Sequence, residues 1–588
     1  MDCRKWQKLG DKIVISCGML LVNMPTSQAN WDGLNKKLAE NLPTPPINPQ
    51  PNPNHDRFLQ PPLPLIPNSE QKKPPIKPLP TPQNLPESGQ DTRINVEKIE
   101  VIGSSIFKKD TINPIIQGLV GNNVSIADIK KAVDTITQLY LDRGYITSRA
   151  VLIEPSITNG TIKIQVIEGS IEKIEVQGTK KLNPSYIRDR LRLGAGTPVN
   201  TATLENQLRL LRNEPLFKNI EASLKAGSDI GKSILIVRVT EAEIWQKNIS
   251  FDNYSPPSVG SERFGIQVIN YNGTGLGDQI VASYNHTLNG GADILDINYR
   301  VPINAMNGTI QFRYSPNWNH ITQAPFQELG ISGESQVYEV SYRQPIVRSL
   351  REELALSLGF NYQNGQTFTF QGPTPFGIGP DGKGISRTST IKFGQDYIRR
   401  DVAGAWSVRS QFNFGVDILN PTINPAPLPD GRFFSWIGQL QRVQRLNENN
   451  LLIISADLQL TPHSLLPSQQ FVIGGGQSLR GYRQNIRSGD NGFRFSLENR
   501  ITVNRNESGG ATMQIAPFID AGTVWNVDIN PNTLPQQKFL VGTGLGLLWE
   551  PVPRVNVRLD YGFPLINLRD KGINAQDDGF YFNINYFP

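Results

Sequence analysis

The sequence has very little cysteine and no long apolar run, and each shortage excludes a class of structure. Both cysteines, Cys3 and Cys17, lie in the first twenty residues of a chain of 588. If that segment is removed after export, neither a disulfide framework nor a cysteine metal site can form. No run of eighteen apolar residues occurs, which argues against a membrane-spanning helix. A strand of a membrane barrel needs only about ten alternating residues, so a barrel is still allowed.

The charged residues and the histidines give no case for nucleic acid, metal or catalysis. Lysine and arginine number 58 and aspartate and glutamate 52, for a net charge of +6 without a basic block. Since no nucleic-acid module is recognisable either, a nucleic-acid partner is not expected. The four histidines are scattered without ligand spacing, so we expect no metal. Residues 377–384 nearly spell a phosphate loop, but Gly384 replaces the hydroxyl residue, so no nucleotide cofactor is expected. With no catalytic constellation in view, the chain is not expected to be an enzyme.

Residues 1–29 have the layout of a secretory signal peptide. Basic residues precede an apolar run from Ile13 to Val22, and Ser27-Gln28-Ala29 provides a small-x-small cleavage site. A buried N-terminal helix is the alternative. The pattern predicts an exported protein.

Residues 30–92 are predicted to be a periplasmic linker. A weakly amphipathic stretch at 31–42 is a candidate short helix. Sixteen of the 44 prolines then fall between residues 41 and 90. Such a composition cannot pack a core and favours the extended polyproline conformation, so the segment is expected to act as a semi-rigid tether.

An internal repeat follows the linker. The sequence NVEKIEVIG at Asn95–Gly103 returns as SIEKIEVQG at Ser170–Gly178. Each copy has the pattern of a short strand followed by a helix and then by further strands. Ser125 begins the first helix with the pattern of a capping box. The repeat predicts two small α+β modules. Their predicted ranges are 93–169 and 170–243.

From residue 244 to 588, apolar and polar residues alternate in segments separated by turns rich in glycine, proline and asparagine. In Val555–Tyr561, for example, apolar side chains alternate with asparagine, arginine and aspartate. The pattern predicts sixteen strands. They lie near 246–254, 261–272, 277–287, 292–302, 307–316, 334–345, 351–363, 385–398, 403–416, 432–445, 450–460, 491–503, 511–519, 539–550, 554–562 and 578–587.

Period-two alternation also describes a soluble sandwich with one wet face, but two features favour a membrane barrel. The polar face carries full charges, and aromatic residues lie near strand ends on the apolar face. Long connections at 364–384, 417–431 and 461–490 alternate with short ones, as in outer-membrane barrels. The sequence therefore predicts a 16-stranded antiparallel barrel with a lumen wide enough for water.

The connection 461–490 holds the most unusual text of the chain, FVIGGGQSLRGYRQN at Phe471–Asn485. A mobile surface loop with a stray cation is the plain interpretation. If the loop instead folds into the lumen, Arg480 needs an anion there, because an unpaired charge away from water is costly. Glu498 points inward on the next strand, and Asp520 follows 22 residues later, about one hairpin away.

Two further points bear on whether the loop folds into the lumen and pairs with these acids. Pairing with the neighbouring Arg494 or Arg500 is the alternative use for them. Gly542, Gly544 and Gly546 line one face of the fourteenth predicted strand, which would leave room for an inward loop.

Several of these sequence stretches resemble one protein family. The stretches Tyr140–Ala150 and Gly160–Gly169 are similar to the polypeptide-transport-associated (POTRA) domains of two-partner secretion transporters. Residues 93–588 as a whole resemble the outer-membrane haemolysin secretion and activation family (ShlB/FhaC/HecB-like). The family's loop motif Val-Arg-Gly-Tyr is matched here with leucine in place of valine, and its aromatic-x-Asp-x-Gly strand motif is also matched. The matching residues are Leu479, Arg480, Gly481 and Tyr482 in the loop, and Phe518, Asp520 and Gly522 in the strand.

The resemblance implies an ion pair between Arg480 and Asp520, shared with Glu498, that fixes the sixth outer loop inside the pore. It implies an outer-membrane translocase with periplasmic POTRA domains that recognises an unfolded, extended exoprotein. The expected partners are that exoprotein, outer-membrane lipid and periplasmic chaperones, with the barrel as a monomer. The rival functions are a barrel-assembly insertase, for which three or more POTRA modules would argue, a passive porin, and a surface adhesin.

Overall fold

The computed structural model of the chain describes residues 76–77, 93–158, 160–324 and 326–588. The predicted signal peptide, the candidate helix at 31–42 and almost all of the predicted linker lie outside these ranges. The described residues form two small α+β modules followed by a closed antiparallel barrel, and this confirms the predicted fold class. In these ranges, no helix has both the length and the apolarity needed to cross a bilayer.

The first module packs two helices on a three-stranded sheet, and β1 (Ile76–Lys77) precedes it in the chain. Its elements are β2 (Arg93–Asn95), β3 (Lys98–Ile102), α1 (Lys109–Ile116), β4 (Asn123–Ser125), α2 (Ile126–Asp142), β5 (Arg149–Thr158) and β6 (Thr161–Ile167). The main sheet has the order β3-β6-β5, with β3 parallel to β6. Helix α2 begins at the predicted capping box, where Ser125 Oγ accepts from the Asp128 backbone N–H at 3.2 Å. It buries Ile129, Ile136 and Tyr140 against the sheet, at the spacing of one helix face.

Glu168, just after β6, connects three parts of this module. Its carboxylate accepts from the Tyr140 hydroxyl at 2.8 Å, and from the backbone N–H and the hydroxyl of Ser105 at 2.7 and 2.5 Å. Partial burial acts to raise the pKa of Glu168, but these hydrogen bonds outweigh it and hold the pKa below its ordinary value. The carboxylate is therefore a structural acceptor whose charged form the fold stabilises.

The second module repeats the plan with a larger sheet. Its elements are β7 (Ser170–Gln177), α3 (Pro184–Arg192), α4 (Thr201–Arg212), β8 (Phe217–Ala226) and β9 (Lys232–Glu241). The sheet order is β1-β8-β9-β7, with β7 parallel to β9. Leu204, Leu208 and Leu211 of α4 are fully buried in its core. Because β1 pairs with β8, a piece of the predicted linker is part of this sheet, which the composition of the linker did not indicate.

The rest of the chain closes into a barrel of sixteen antiparallel strands, in agreement with the predicted number. The strands are β10 (Trp245–Asp252), β11 (Arg263–Tyr271), β12 (Gln279–Thr287), β13 (Ala292–Pro302), β14 (Thr309–His320), β15 (Ser332–Arg348), β16 (Glu352–Thr369), β18 (Ile385–Asp401), β19 (Gly404–Gly415), β20 (Phe434–Arg445), β21 (Asn450–Leu460), β24 (Asn491–Arg505), β25 (Ala511–Trp525), β26 (Phe539–Trp549), β27 (Val555–Pro564) and β28 (Phe580–Tyr586). A two-residue strand, β17 (Gly372–Pro373), adds to the outer end of β16. The barrel closes where β10 pairs with β28.

The two faces of the wall differ in the way that the alternation predicts. Large apolar side chains such as Phe312 and Leu358 point outward and are 50% and 58% exposed, as expected of a surface that meets lipid. Charges point inward and pair across strands: Arg313 Nε donates to Asp296 at 2.8 Å. An apolar outside and a charged inside are the arrangement of an outer-membrane barrel.

Several predicted boundaries need correction at the end of the barrel that carries the long connections. Strand β16 continues to Thr369 while β18 begins at Ile385 as predicted, so the predicted connection 364–384 narrows to 370–384. Strand β25 continues six residues beyond its predicted end, which places Asp520 within the strand. Two further long connections, 526–538 and 565–579, lie on the same side of the barrel and were not predicted as long.

Charged and aromatic side chains dock the second module onto the opposite end of the barrel, where the connections are short. Tyr186 of α3 donates to Glu214 at 2.8 Å, and Arg348 from the end of β15 donates to the same carboxylate at 2.9 Å. Arg190 stacks over the Tyr186 ring at 3.5 Å and donates to Asn307 at 3.1 Å. Because these groups are mostly buried, the module has a defined position against the mouth of the barrel.

Candidate functional site

The connection 461–490 turns into the lumen and contains regular structure that was not predicted. Strands β22 (Phe471–Ile473) and β23 (Arg487–Gly489) pair with each other inside the barrel. These strands could not be predicted, because three-residue strands beside glycines give no readable alternation. At its base, the buried carboxylate of Asp490 accepts from the backbone N–H of Leu465 at 2.9 Å. The loop is thus a folded hairpin with a fixed stem.

The tip of this hairpin needs glycine. Gly474 and Gly475 have φ of 111° and 99°, values that L-residues rarely adopt. Gly481, next to Arg480, also has a φ of 99°. The turn therefore lowers residues 478–482 onto the barrel wall as a compact tip.

Arg480 is held by acids from three barrel strands. Its Nε and Nη2 donate to the two oxygens of Asp520 at 2.7 and 3.0 Å, which is a bidentate pair. Its Nη1 donates to Glu498 at 2.7 Å and to Asp560 at 3.4 Å. The guanidinium also lies 3.4 Å from the centre of the Phe518 ring. The side chain is 6% exposed, so these contacts replace almost all of its hydration.

The charges around Arg480 balance. Arg558 donates to Glu498 at 2.7 Å and to Asp560 at 2.6 Å, and Arg500 donates to Glu498 at 2.7 Å. The three buried acids Glu498, Asp520 and Asp560 thus face the buried Arg480 and the partly buried Arg500 and Arg558, and each of these six charges has a partner of opposite charge. We call this group of six residues the arginine lock.

The neighbouring residues of the motif anchor the tip on either side of Arg480. Leu479 is fully buried, and a Cβ at Gly522 would come within 3.0 Å of it. The Tyr482 hydroxyl donates to the carbonyl of Val541 at 2.8 Å. Tyr581 accepts from the Gly481 backbone N–H at 2.9 Å and donates to the Tyr482 carbonyl at 2.6 Å.

Of the three glycines predicted to make room for the loop, one does so directly. A Cβ at Gly542 would lie 1.9 Å from the Arg480 carbonyl oxygen. The space beside Gly544 is taken by the Tyr561 carbonyl, and that beside Gly546 by Asp560. These two glycines therefore fit the packing between strands and do not contact the loop.

Sequence reasoning missed part of the lock. Arg558 and Asp560 were recognised only as polar positions of a strand, and Tyr581 was not singled out. Asp560 and Tyr581 contact the tip, and Arg558 binds two of the acids that hold Arg480. The inward alternation of Val555–Tyr561 contained the signal, but which inward residues lie level with Arg480 depends on the register between strands. Two arginines were considered as alternative partners of the acids. Arg500 does donate to Glu498 at 2.7 Å, whereas Arg494 donates to Asp457 at 2.6 Å.

The arrangement is suited to holding a segment of the chain in place. Within the described residues, no group of histidine, cysteine and acid side chains is arranged to hold a metal ion. The acids of the lock have charged or hydroxyl partners, as when Ser496 donates to Asp520 at 2.6 Å. Such a network fixes the position of a segment.

Comparison with known proteins identifies the family. The sequence model described as "Haemolysin secretion/activation protein ShlB/FhaC/HecB" matches residues 231–548, more than half of the chain. The protein belongs to this family. A ShlB-type POTRA domain model matches residues 94–169, and a second POTRA model, described as "Surface antigen variable number repeat", matches residues 170–242. The resemblance stated from the sequence is confirmed.

Curated relatives of this family member are transporters. The heme/hemopexin transporter protein HuxB of Haemophilus influenzae (strain 86-028NP) is 24% identical over 405 residues, covering 66% of this chain and 68% of the relative. The hemolysin transporter protein ShlB of Serratia marcescens is 23% identical over 445 residues, covering 73% and 74%.

Solved structures show the same fold. CdiB from Escherichia coli superposes with a TM-score of 0.64 at 18% identity, covering 87% of this chain and 94% of that one. BamA from Haemophilus ducreyi, lacking POTRA domains 1–3, gives a TM-score of 0.51 at 15% identity, covering 84% and 100%. The family member is an outer-membrane barrel transporter with periplasmic POTRA domains, and its relatives favour two-partner secretion over the insertase alternative.

Proposed function

We propose that this protein is an outer-membrane translocase for an unfolded, extended exoprotein, which it recognises through its POTRA modules and secretes through the barrel. The observation that carries the proposal is the arginine lock, because it holds a folded loop inside the lumen at the cost of burying four charges and partly burying two more. A passive porin has no need of such a loop support. A pore that must stay closed between transport events needs a loop held in its lumen.

The lumen on the side away from the lock suits a polypeptide. Strands β12 to β21 line an open space there with amide and hydroxyl side chains, for example Asn361 and Gln411. Charges in this wall are neutralised locally, as where Lys392 donates to Glu339 at 2.6 Å. A wall of amides can donate to and accept from peptide groups whatever the side chains of the passing chain are.

The periplasmic modules supply sheet edges for docking. Among the described residues, β3 and β5 are the edge strands of the first sheet, and the second sheet ends in β7 on one side and in the two-residue β1, paired with β8, on the other. An extended chain can add to such an edge by main-chain hydrogen bonds, which suits recognition of an unfolded partner. The contacts of Glu214 with Tyr186 and Arg348 keep the second module at the mouth of the barrel, so docked cargo is close to the pore.

The remaining partners follow from the location. Outer-membrane lipid contacts the apolar outer face, and periplasmic chaperones keep the exoprotein unfolded before docking. The barrel acts as a monomer, since all sixteen strands of the closed wall come from one chain. No catalytic step and no cofactor is part of the proposal.

Deletion of the gene in its host tests this function. The extracellular and periplasmic proteomes of the deletion strain are compared with those of the wild type and of the strain complemented in trans. Loss of one or two large exoproteins from the medium, with their fragments in the periplasm, is the expected result. A general fall of many outer-membrane barrels would instead show an insertase, and large constitutive sugar flux in liposome swelling would show a porin.

A further inference from the structure

The linker strand β1 occupies part of an edge that is otherwise suited to docking. Ile76 and Lys77 pair in parallel with Ala222 and Ser223 of β8. Strand β8 itself is ten residues long and pairs on its other side with β9 over nearly its whole length. The described linker residues therefore cover only two positions of a much longer edge.

The linker sequence limits how far the described pairing can extend. Pro75 precedes the two paired residues and Pro78 follows them. Proline has no backbone N–H to donate to a ladder, so neither neighbour can extend the pairing in the usual way. A ladder limited to two residues is weak and reversible compared with one of five or more residues.

The β8 edge also has a side-chain pattern that selects its partner. Ile220, Ala222 and Leu224 are buried against the module core, while Glu221 and Lys225 are exposed. Parallel pairing sets an isoleucine of the linker opposite the buried Ala222 and a lysine opposite the half-buried Ser223. A strand that fits this edge alternates apolar and polar residues, as the linker does for one repeat.

We propose that β1 is a built-in place-holder on the β8 edge, and that an alternating, proline-free segment of the exoprotein displaces it when the cargo docks. This inference rests on the proposed function and adds where the docking occurs and what regulates it. An uncovered edge of ten residues would invite pairing between molecules, and a two-residue cover blocks that at little cost to displacement. Because the linker belongs to the same chain, its high local concentration returns it to the edge as soon as the cargo leaves.

A reversible covalent closure tests the place-holder in the full-length protein in its host. Lys77→Cys combined with Ser223→Cys joins the paired positions under oxidising conditions, and reductant reopens them. The control, Ser170→Cys with Lys232→Cys, joins the paired positions of β7 and β9 on the far side of the same sheet. Closure at β1 is expected to lower exoprotein secretion at least tenfold and reductant to restore it, with the control unaffected.

A release variant provides the second arm. Ile76→Pro combined with Lys77→Pro removes both N–H donors of β1, and Ile76→Val with Lys77→Thr keeps the strand. A photo-cross-linking residue at Glu221 reports which segment lies on the edge. The strand-keeping variant should give mainly an internal adduct to the linker, and the proline variant should give more adduct to the exoprotein.

The outcomes separate this inference from the function on which it rests. Failure of the cysteine pair to close, or normal secretion with the pair fully closed, overturns the place-holder while the translocase stands. If gene deletion itself removes no exoprotein from the medium, the proposed function fails first.

Discussion

Replacement of Arg480 by alanine should release the loop tip without unfolding the barrel. The substitution removes the bidentate pair with Asp520 and the contact with Glu498, and leaves both acids partly unpaired in a buried site. Removing one member of a buried ion pair costs about 3–5 kcal/mol. Since 1.4 kcal/mol is about a factor of ten, the population of released loop should rise by roughly two to four powers of ten. The barrel itself keeps its strand ladders, so heat-modifiable migration on gels should not change.

Planar-bilayer recordings measure that change. The Arg480→Ala protein is expected to open far more often than wild type and to secrete its exoprotein poorly. The matched control is Arg432→Ala, because Arg432 pairs with Asp430 at the surface of another outer connection and is half exposed. Such an exposed pair contributes little, so the control should behave as wild type. Wild-type opening and secretion in a correctly assembled Arg480→Ala protein would refute the reasoning.

Other substitutions test neighbouring parts of the account. Exchanging the charges, Arg480→Asp with Asp520→Arg, should restore little function, because the new carboxylate would face Glu498; full recovery in the secretion assay would mean that Glu498 is unimportant. Gly542→Ala should displace the tip and raise channel opening, since its Cβ would meet the Arg480 carbonyl oxygen at 1.9 Å, whereas Gly382→Ala, with open space beside it, should not. Glu214→Gln should loosen the second module and speed hydrogen exchange in α3 by at least about tenfold, because a largely buried charge pair is lost. Lowering the pH from 6 to 3.5 should lower the urea midpoint of the helical signal at 222 nm. The pKa of Glu168 in the folded protein is depressed, so its contribution to stability is present above the unfolded pKa and is lost as the pH falls through the folded pKa. Glu168→Gln should reduce this loss of stability.

The barrel could be predicted from the sequence because the alternation that defines each strand involves only neighbouring residues. Each strand must present apolar side chains to lipid and polar ones to the lumen, so every second residue reports the fold. Strand ends were less certain. Strand β25 continues to Trp525, although its predicted bounds ended at residue 519.

The arginine lock could be predicted only in part, because it depends on relations between distant strands. The motif around Arg480 and the acids Glu498 and Asp520 stand out by type and spacing. Asp560 joins them only because the register between β26 and β27 sets it opposite Gly546, and no sequence pattern specifies that register. The contacts of Tyr581 with the tip likewise depend on closure of the last strand against the first.

The strand β1 shows a second limit. Two residues between prolines carry no periodicity, so composition indicated a plain tether. The pairing exists because β8 offers an unfilled edge, which is a property of the folded module and not of the linker.

Photo-cross-linking from inside the lumen during export tests the central claim most directly. Gln411 lines the open side of the lumen, and Val408 on the same strand is exposed on the outer face. A cross-linking residue at Gln411 should capture an exoprotein in transit, while the same residue at Val408 should capture none. Secretion that continues without any adduct at Gln411, or adducts there with other outer-membrane barrels instead, would contradict the account.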